Sequence, residues 1–375
     1  MPFGSEGRTE GIALALSGGG YRAVLFHCGA LLRLNQLGVL PQLARISSVS
    51  GGSITSGLLA AKWSRLTPDG NGTFTNLAAE VIDPLRAFCS RTLDVSAVLW
   101  GGINPFKSAA DELIDAYRER LGLNVALRSL RTSGPRFVFN ATNYATGVAF
   151  RFSAPYCGDY RIGLLKEHSF DVATAVAASS AFPPVFAPVV LDVNPDAFEH
   201  TLGADMYANV DFRRRLMLAD GGVYDNMGLE TVWGRYTTVL VSDGGKPFEL
   251  DAKPSGSFTQ LARVADIGLN QALALRKRML VDAFQQKQCR GAYWGIGTHI
   301  ADYGLGEGAL NVAPAKSAEM AAIRTRLNSF SDKEQEELMN WGYAVCDAAM
   351  RAHVPELCAI GATQPPWLFP GRPMY

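Results

Sequence analysis

Gly11-Ile-Ala-Leu-Ala-Leu16 runs directly into Ser17-Gly-Gly-Gly-Tyr-Arg22, and Ala44-Arg-Ile-Ser-Ser-Val49 runs into Ser50-Gly51-Gly52-Ser53. Each is a short apolar run of strand length that stops at a glycine turn. Behind the first turn, Tyr21 to Leu37 is mostly apolar, Gly38 fits a helix C-terminal cap and Pro41 stands where a helix cannot continue. Behind the second, Ile54 to Trp63 returns to helical composition. Strand, helix, strand, helix predicts an α/β fold: a three-layer α/β/α sandwich around a mainly parallel central sheet.

Outward from this opening, Thr67 to Thr75 is a Pro/Gly/Asn loop, followed to about Leu130 by mixed helical sequence interrupted at Gly101, Gly102 and Pro105. Phe137 to Phe152 reads as two strands about a turn at Thr146-Gly147. Asp171 to Ser180 is a small-residue helix stopped by Pro183-Pro184. Arg215 to Ala219 and Tyr236 to Ser242 are two more apolar strands, each followed by Asp-Gly-Gly. Asp220 and Asp243 are thus predicted at strand C-terminal ends, where open α/β sheets carry their sites. Ser257 to Gln286 reads as a long amphipathic helix, and Ser331 with Glu334 forms a capping box for the last one. No internal repeat is present. The expected division is an N-terminal tail over 1–10, one domain over 11–350 with its motifs in 11–245 and a helical part in 257–350, and an aromatic, proline-rich tail over 351–375 that contains Trp367, Phe369 and Tyr375.

The 375 residues carry 35 Lys and Arg against 35 Asp and Glu, so no global field recruits nucleic acid or an anionic bilayer. Membrane contact must then be local. Arg213-Arg-Arg215 and Arg276-Lys-Arg278 can meet lipid headgroups, although short basic runs are ordinarily solvated surface. Six scattered cysteines without a C-x-x-C pair read as reduced thiols of a cytoplasmic protein. No secretory signal opens the chain, and no apolar run reaches the roughly 18 residues of a membrane span. Neither H-E-x-x-H nor a Cys/His ligand spacing occurs, so no metal and no cofactor are expected.

Gly18, Gly19 and Gly20, with Arg22, set several backbone N–H groups at a predicted helix N-terminus, a ready site for negative charge. A Walker phosphate loop is absent. Gly18, Gly20 and Ala23 formally meet the dinucleotide fingerprint, but the acidic residue that should hold the ribose is missing: no Asp or Glu occurs from Gly11 to Pro68. A turn needed only for packing and an oxyanion hole are the remaining readings. One βα unit later, Ser48-Val-Ser50-Gly51-Gly52 approximates the nucleophile elbow G-x-S-x-G, with Ser48 in place of the first glycine. A serine hydroxyl needs a base. His27, His168, His200, His299, His353 and the carboxylates are the candidates, and Ser50, Asp220, His299 would follow the Ser, Asp, His chain order of α/β-hydrolases.

Taken together, Ser17-Gly-Gly-Gly-Tyr-Arg22, Val49-Ser50-Gly51-Gly52-Ser53 and Ala219-Asp220-Gly221-Gly222-Val223-Tyr-Asp-Asn226 resemble the patatin-like phospholipases, as do Ala141-Thr-Asn-Tyr-Ala-Thr-Gly147 and Ala178-Ser-Ser-Ala-Phe-Pro-Pro-Val-Phe-Ala-Pro188. The resemblance implies a patatin-like fold and a phospholipase A type lipid acyl hydrolase with a Ser–Asp dyad. Carried over, it makes Ser50 the nucleophile and Asp220 the base. Gly18, Gly19, Gly20 and Arg22 would form the oxyanion hole, and Ser48, Gly51, Gly52, Gly221, Gly222 and Asn226 would support the motifs. Asp243 is a decoy without the downstream Tyr-Asp-Asn226. Ala23 and Gly228 depart from the family pattern without touching the dyad. The implied substrate is a membrane glycerophospholipid or other lipid ester, met by peripheral membrane contact, with an activating ligand or protein left open. Two alternatives stand beside it: a Ser-Asp-His carboxylesterase using His299, and a non-catalytic lipid- or nucleotide-binding effector on the same fold. Beyond Gly245 nothing is diagnostic.

Overall fold

The computed structural model describes residues 7–93, 108–131, 134–184, 186–252, 257–359 and 362–375. The expected interruptions at Gly101, Gly102 and Pro105, and the first six residues of the N-terminal tail, lie outside the described residues.

The opening folds as its pattern predicts: β1 (Thr9–Leu16), α1 (Gly20–Gln36), β2 (Leu43–Ser48) and α2 (Gly51–Lys62). Helices α3 (Asp83–Cys89) and α4 (Ala109–Leu121) come after them, then β3 (Arg136–Asn143), β4 (Val148–Ser153), β5 (Tyr156–Asp159) and β6 (Gly163–Leu165). Next come α5 (Val172–Ser180), β7 (Val189–Asp192), β8 (Phe198–Glu199), β9 (Arg215–Asp220) and β10 (Tyr236–Asp243). The chain continues through α6 (Ser257–Gln285), β11 (Arg290–Gly295), α7 (Pro314–Ala322) and α8 (Asp332–His353). Helix α5 starts where Asp171 caps it by accepting the Thr174 N–H at 2.9 Å, and α8 where Ser331 and Glu334 close the expected capping box.

The parallel character is confined to one half of the sheet. Strands β11, β10, β1, β2 and β3 lie side by side and parallel. From β3 outward, through β4, β5, β6 and β8, every pairing is antiparallel. The expectation of a mainly parallel sheet therefore holds for the core and not for the extension, because the short turns after β3, β4 and β5 leave no room for a crossover helix. Both faces of β1 are buried. Leu14 and Leu16 pack into the large cluster with α1, α2 and α8, whereas Ala13 and Ala15 pack with Met227, Val232 and Leu280 on the other side. Helices α1 and α8 approach closely through Gly29 and Gly342, where a Cβ would collide with the Met339 and Phe26 carbonyls. The C-terminal tail packs back on the body: Met374 is buried, and the Asn340 amide donates to the Phe369 and Arg372 carbonyls at 3.1 and 2.9 Å.

The register of β3 positions the site. Along the same edge of this strand, residues Arg136 to Phe139 pair with the end of β2, and Ala141 to Asn143 pair with the end of β9. Strands β2 and β9 thus meet head to head across Asn140. The turns that leave β2 and β9 must therefore emerge into the same gap.

Candidate active site

Into that gap β2 delivers Ser50 and β9 delivers Asp220. Ser50 adopts φ 50° and ψ −119°, a backbone region that side chains rarely occupy, between a strand end and the first residue of α2. Such an outlier costs on the order of 1–3 kcal/mol and persists only where its surroundings impose it. Here they do: Ser50 N–H meets both the carbonyl and the hydroxyl of Ser179 at 3.1 Å, and the Gly52 N–H reaches the Ser17 carbonyl at 3.1 Å. Small residues permit the bend, since a Cβ on Gly51 would strike the Gly20 carbonyl and one on Gly52 the Leu16 carbonyl. Ser48 is buried beneath, accepting from Ser53 Oγ at 3.0 Å and Ser56 Oγ at 2.6 Å.

Asp220 is 2% exposed. Burial pushes its carboxyl up to about 6, and bonds from the Gly222 N–H and the Ser50 side chain pull it only part of the way back. The Gly222 bond measures 2.7 Å. The backbone is pinned as well: Thr142 Oγ1 donates to the Asp220 carbonyl at 2.8 Å, and the Gly221 N–H joins the same Ser179 carbonyl that holds Ser50. At Gly221 a Cβ would strike the Asn140 carbonyl, so the turn after Asp220 tolerates no side chain there.

The glycine turn closes the third side, and its four expected members separate. Gly19 and Gly20, at the N-cap and first position of α1, line the cavity beside Ser50, and no acceptor takes their N–H groups among the described residues. The Gly18 N–H is already committed to the Asn226 carbonyl at 3.0 Å. Arg22 is fully buried, and its guanidinium donates to the Ala321, Ile323 and Gly244 carbonyls at 2.9, 2.7 and 2.9 Å. It therefore ties α1 to the loop after α7 and does not line the cavity. This corrects the placement of Gly18 and Arg22 in the oxyanion hole: the Gly18 N–H and the two terminal nitrogens of Arg22 are spent on the scaffold, and Arg22 Nε is buried with no partner among the described residues. Asn226 lines the cavity, with its carboxamide in space that a Cβ on Gly18 or on Gly222 would invade.

The histidines stand elsewhere. None lines this cavity, and His299 is exposed in the turn after β11. His27 is buried beneath the turn, its Nε2 2.9 Å from the Ser17 carbonyl and its Nδ1 2.8 Å from Ser242 Oγ. A carbonyl only accepts, so Nε2 carries the proton, and burial pushes this imidazole down to about 4. Asp243, the decoy, accepts from Tyr293 OH at 2.8 Å and the Gly245 N–H at 3.0 Å, and it also lies outside the cavity wall.

The cavity encloses about 920 Å³. Phe182, Pro183, Pro184 and Phe186 form one wall; Lys246 to Glu249, one face of α6, and Thr325 to Asn328 line it further, with Thr92, Leu93, Val223 and Tyr224. Most of these later residues carry no motif. The one sequence signal for them was the long amphipathic helix read over Ser257 to Gln286. Among the described residues no cluster suits a metal ion, no helix is long and apolar enough to cross a membrane, and all six cysteines are free thiols.

Residues 14–233 match the family model described as patatin-like phospholipase, and no curated protein matches the sequence. Human GIVD cytosolic phospholipase A2 in complex with methyl gamma-linolenyl fluorophosphonate and terbium chloride superposes with TM-score 0.53 at 15% identity, over 93% of this chain and 59% of that one. The same human protein without an inhibitor gives 0.52 at 11% identity, over 93% of this chain and 60% of that one. VipD from Legionella pneumophila gives 0.40 at 14% identity, over 92% and 67%. This chain therefore spans about three-fifths of the human protein's length, and at these identities the likeness is one of fold. The family match, by contrast, takes in more than half the chain and contains the glycine turn, the Ser50 elbow and the Asp220 strand end that converge on one cavity: the chain belongs to the patatin-like phospholipase family.

Proposed function

We propose that this protein is a serine acyl hydrolase that cleaves carboxylic ester bonds of glycerophospholipids with Ser50 as nucleophile and Asp220 as the base, and without a histidine. The observation that carries it is the pairing of a strained serine with a buried carboxylate raised to about 6, at the floor of a cavity large enough for an acyl chain. A carboxylate held near 6 remains ionised at neutral pH yet is a far better base than one near 3.9.

Ser50 Oγ attacks the ester carbonyl as its proton passes to Asp220. The carbonyl oxygen gains the negative charge, and the N–H groups of Gly19 and Gly20 are free to receive it; each well-aimed donor is worth about 3 kcal/mol. The tetrahedral adduct collapses, the lysolipid alkoxide leaves with the proton from Asp220, and acyl-Ser50 remains. Asp220 then takes a proton from water, the hydroxide adds to the acyl carbonyl, and collapse releases the fatty acid and returns the proton to Ser50. Family membership and the apolar wall of Phe182 and Phe186 support a lipid ester as the substrate. Six free thiols support a reducing compartment.

The test is fatty-acid release from mixed phospholipid vesicles, measured by mass spectrometry, for the wild type, Ser50→Ala and Asp220→Asn. Release that disappears in both variants is expected. A folded wild type that neither releases fatty acid nor labels with a fluorophosphonate at Ser50 would overturn the proposal in favour of a binding protein.

A further inference from the structure

Arginines gather on one face of the sheet, away from the turn that carries Ser50. Arg45 on β2 is the register partner of Arg136 on β3, and Arg151 on β4 pairs with Asn140, further along the β3 face that Arg136 begins. Tyr156 on β5 pairs with Ser153, two residues beyond Arg151. Register partners, and residues two or four apart on a strand, point to the same side. Arg45, Arg136, Arg151 and Tyr156 therefore share a face, the one to which Ala13, the β1 partner of Arg45, also belongs. Arg235 joins them from the segment that leads into β10. All five side chains are half-buried, and none lines the Ser50 cavity. Arg45 stands at the start of β2, about 16 Å along the strand from Ser50 at 3.3 Å per residue.

The partners of these cations are neutral. Arg45 donates to the Thr231 carbonyl at 2.6 Å and lies over the Tyr236 ring at 5.1 Å; Arg136 donates to Ser153 Oγ at 3.2 Å and lies over the Tyr156 ring at 4.8 Å. Among the described residues Arg45, Arg136 and Arg151 form no ion pair with a carboxylate. The Nε of each is buried with no hydrogen-bond partner there. Glu230, the carboxylate that acts on Arg235, is itself bonded to Arg276 at 3.1 Å. Burial above all, with neighbouring guanidinium groups adding to it, pushes Arg45 and Arg235 down from the ordinary arginine value. At Tyr156 burial pushes the phenol up, but Arg136, Arg151, Arg45 and Arg235 together outweigh it and bring the phenol below its ordinary value. Like charges gathered in a half-buried group repel one another more than they would in water, and an anion among them removes that repulsion.

We infer that this arginine face is a binding site for a phosphate monoester, separate from the acyl-hydrolase site and independent of that reading. A tetrahedral phosphate presents three terminal oxygens and up to two negative charges, which guanidinium forks match from several directions. A carboxylate, with two oxygens and one charge, would leave most of the cluster uncompensated. The Tyr236 and Tyr156 rings hold the planes of Arg45 and Arg136 in advance. The Arg151 side chain makes no hydrogen bond or ion pair among the described residues, so its donors remain for the ligand. A soluble phosphate and a lipid headgroup present the same chemistry here, and the experiment separates them.

The experiment compares the wild type with Arg151→Gln, which removes one charge, and Arg151→Lys, which keeps the charge without the fork. Melting temperature is followed against inorganic phosphate with ionic strength held constant by potassium chloride. Co-sedimentation is measured on phosphatidylcholine vesicles with and without phosphatidic acid. Expected are stabilisation of the wild type by phosphate, an affinity about tenfold weaker in Arg151→Gln, and an intermediate loss in Arg151→Lys. Without phosphate, Arg151→Gln should melt no lower than the wild type, because it relieves repulsion. A phosphate response without added vesicle binding assigns the site to a soluble ligand; binding that depends on phosphatidic acid and weakens in Arg151→Gln assigns it to a headgroup. A wild type that responds to neither probe, or variants that respond as the wild type does, would overturn the inference. So would an Arg151→Gln protein that melts well below the wild type without phosphate, which would make the cluster a structural contact. Fluorophosphonate labelling at Ser50 should be equal in all three proteins, so that failure of this site and failure of the catalytic proposal are read apart.

Discussion

Ser179 holds Ser50 with two acceptors at once, its carbonyl and its hydroxyl each 3.1 Å from the Ser50 N–H. The same carbonyl receives the Gly221 N–H beside Asp220, and the same hydroxyl donates to the Asn140 carbonyl at 2.6 Å. One residue of α5 therefore sets the separation of Ser50 and Asp220. Ser179→Ala keeps the carbonyl and removes the hydroxyl; a loss of about 1 kcal/mol of stability is expected, with kcat falling about tenfold. Thermal melts and steady-state kinetics on a soluble ester read the two separately. An unchanged kcat would show that the carbonyl alone positions Ser50.

Asp220 predicts the acid limb of the pH profile. The base must be ionised, so activity should rise with pH through about 6 and then level. Its effect on stability has the opposite direction. Because the folded-state value lies above the ordinary carboxylate value, the folded protein holds the extra proton between about 4 and 6, and stability falls as pH rises through that window. Asp220→Asn should abolish turnover and raise the melting temperature at pH 7 while changing it little at pH 4. Denaturation monitored at both pH values checks this.

Relief of backbone strain should separate function from stability at the elbow. Ser50→Gly suits φ 50° without a Cβ, and a gain of about 1 kcal/mol is expected together with complete loss of turnover and labelling. Ser50→Ala loses the chemistry but keeps the strain. A Gly variant no more stable than the Ala variant would mean that the turn is not strained.

Gly18 and Asn226 compete for one space. A methyl at Gly18 would collide with Asn226 Oδ1 and approach Ser50 Cβ to 3.1 Å. Gly18→Ala should lower kcat/KM about a hundredfold, the typical cost of a small displacement at the reacting atoms. Asn226→Ala added to it should restore part of that loss, because the carboxamide is then gone. Strict additivity in the double-mutant cycle would rule the collision out.

Arg22 is expected to act as a structural latch. Its three carbonyl partners lie on two segments, the end of α7 and the turn after β10, and one ammonium cannot span them. Arg22→Lys should cost about 3 kcal/mol in chemical denaturation, and the activity that remains should show an unaltered pH profile. A fully stable variant with depressed kcat would return Arg22 to a catalytic role.

Local pattern carried the first half of the molecule. Apolar runs that stop at glycine turns place β1, α1, β2 and α2 within two or three residues, and the caps Asp171 and Ser331 start α5 and α8 where side-chain chemistry requires. These signals are legible because strand length, helix period and turn residues act over a few positions. The turns that carry Ser50 and Asp220 were legible too, since an elbow and an Asp-Gly-Gly strand end are local constraints on backbone shape, whereas the preference for Asp220 over Asp243 came from the family resemblance. Long-range pairing was not present in the sequence in readable form. That β9 runs antiparallel to β3 and meets β2 head to head, that Ser179 serves both partners, and that Arg22 turns inward to carbonyls more than two hundred residues away depend on which segments share an edge. The cavity wall after Gly245 is of the same kind: its residues have no common motif, and only packing α6 and the Thr325–Asn328 loop around the glycine turn makes them neighbours. Short-range sterics and hydrogen-bonding propensities determined the elements and the turns on which Ser50 and Asp220 stand. Burial and strand register, which are properties of the whole chain, decided which N–H groups remain free, how far the Asp220 carboxyl is raised, and which residues line the cavity.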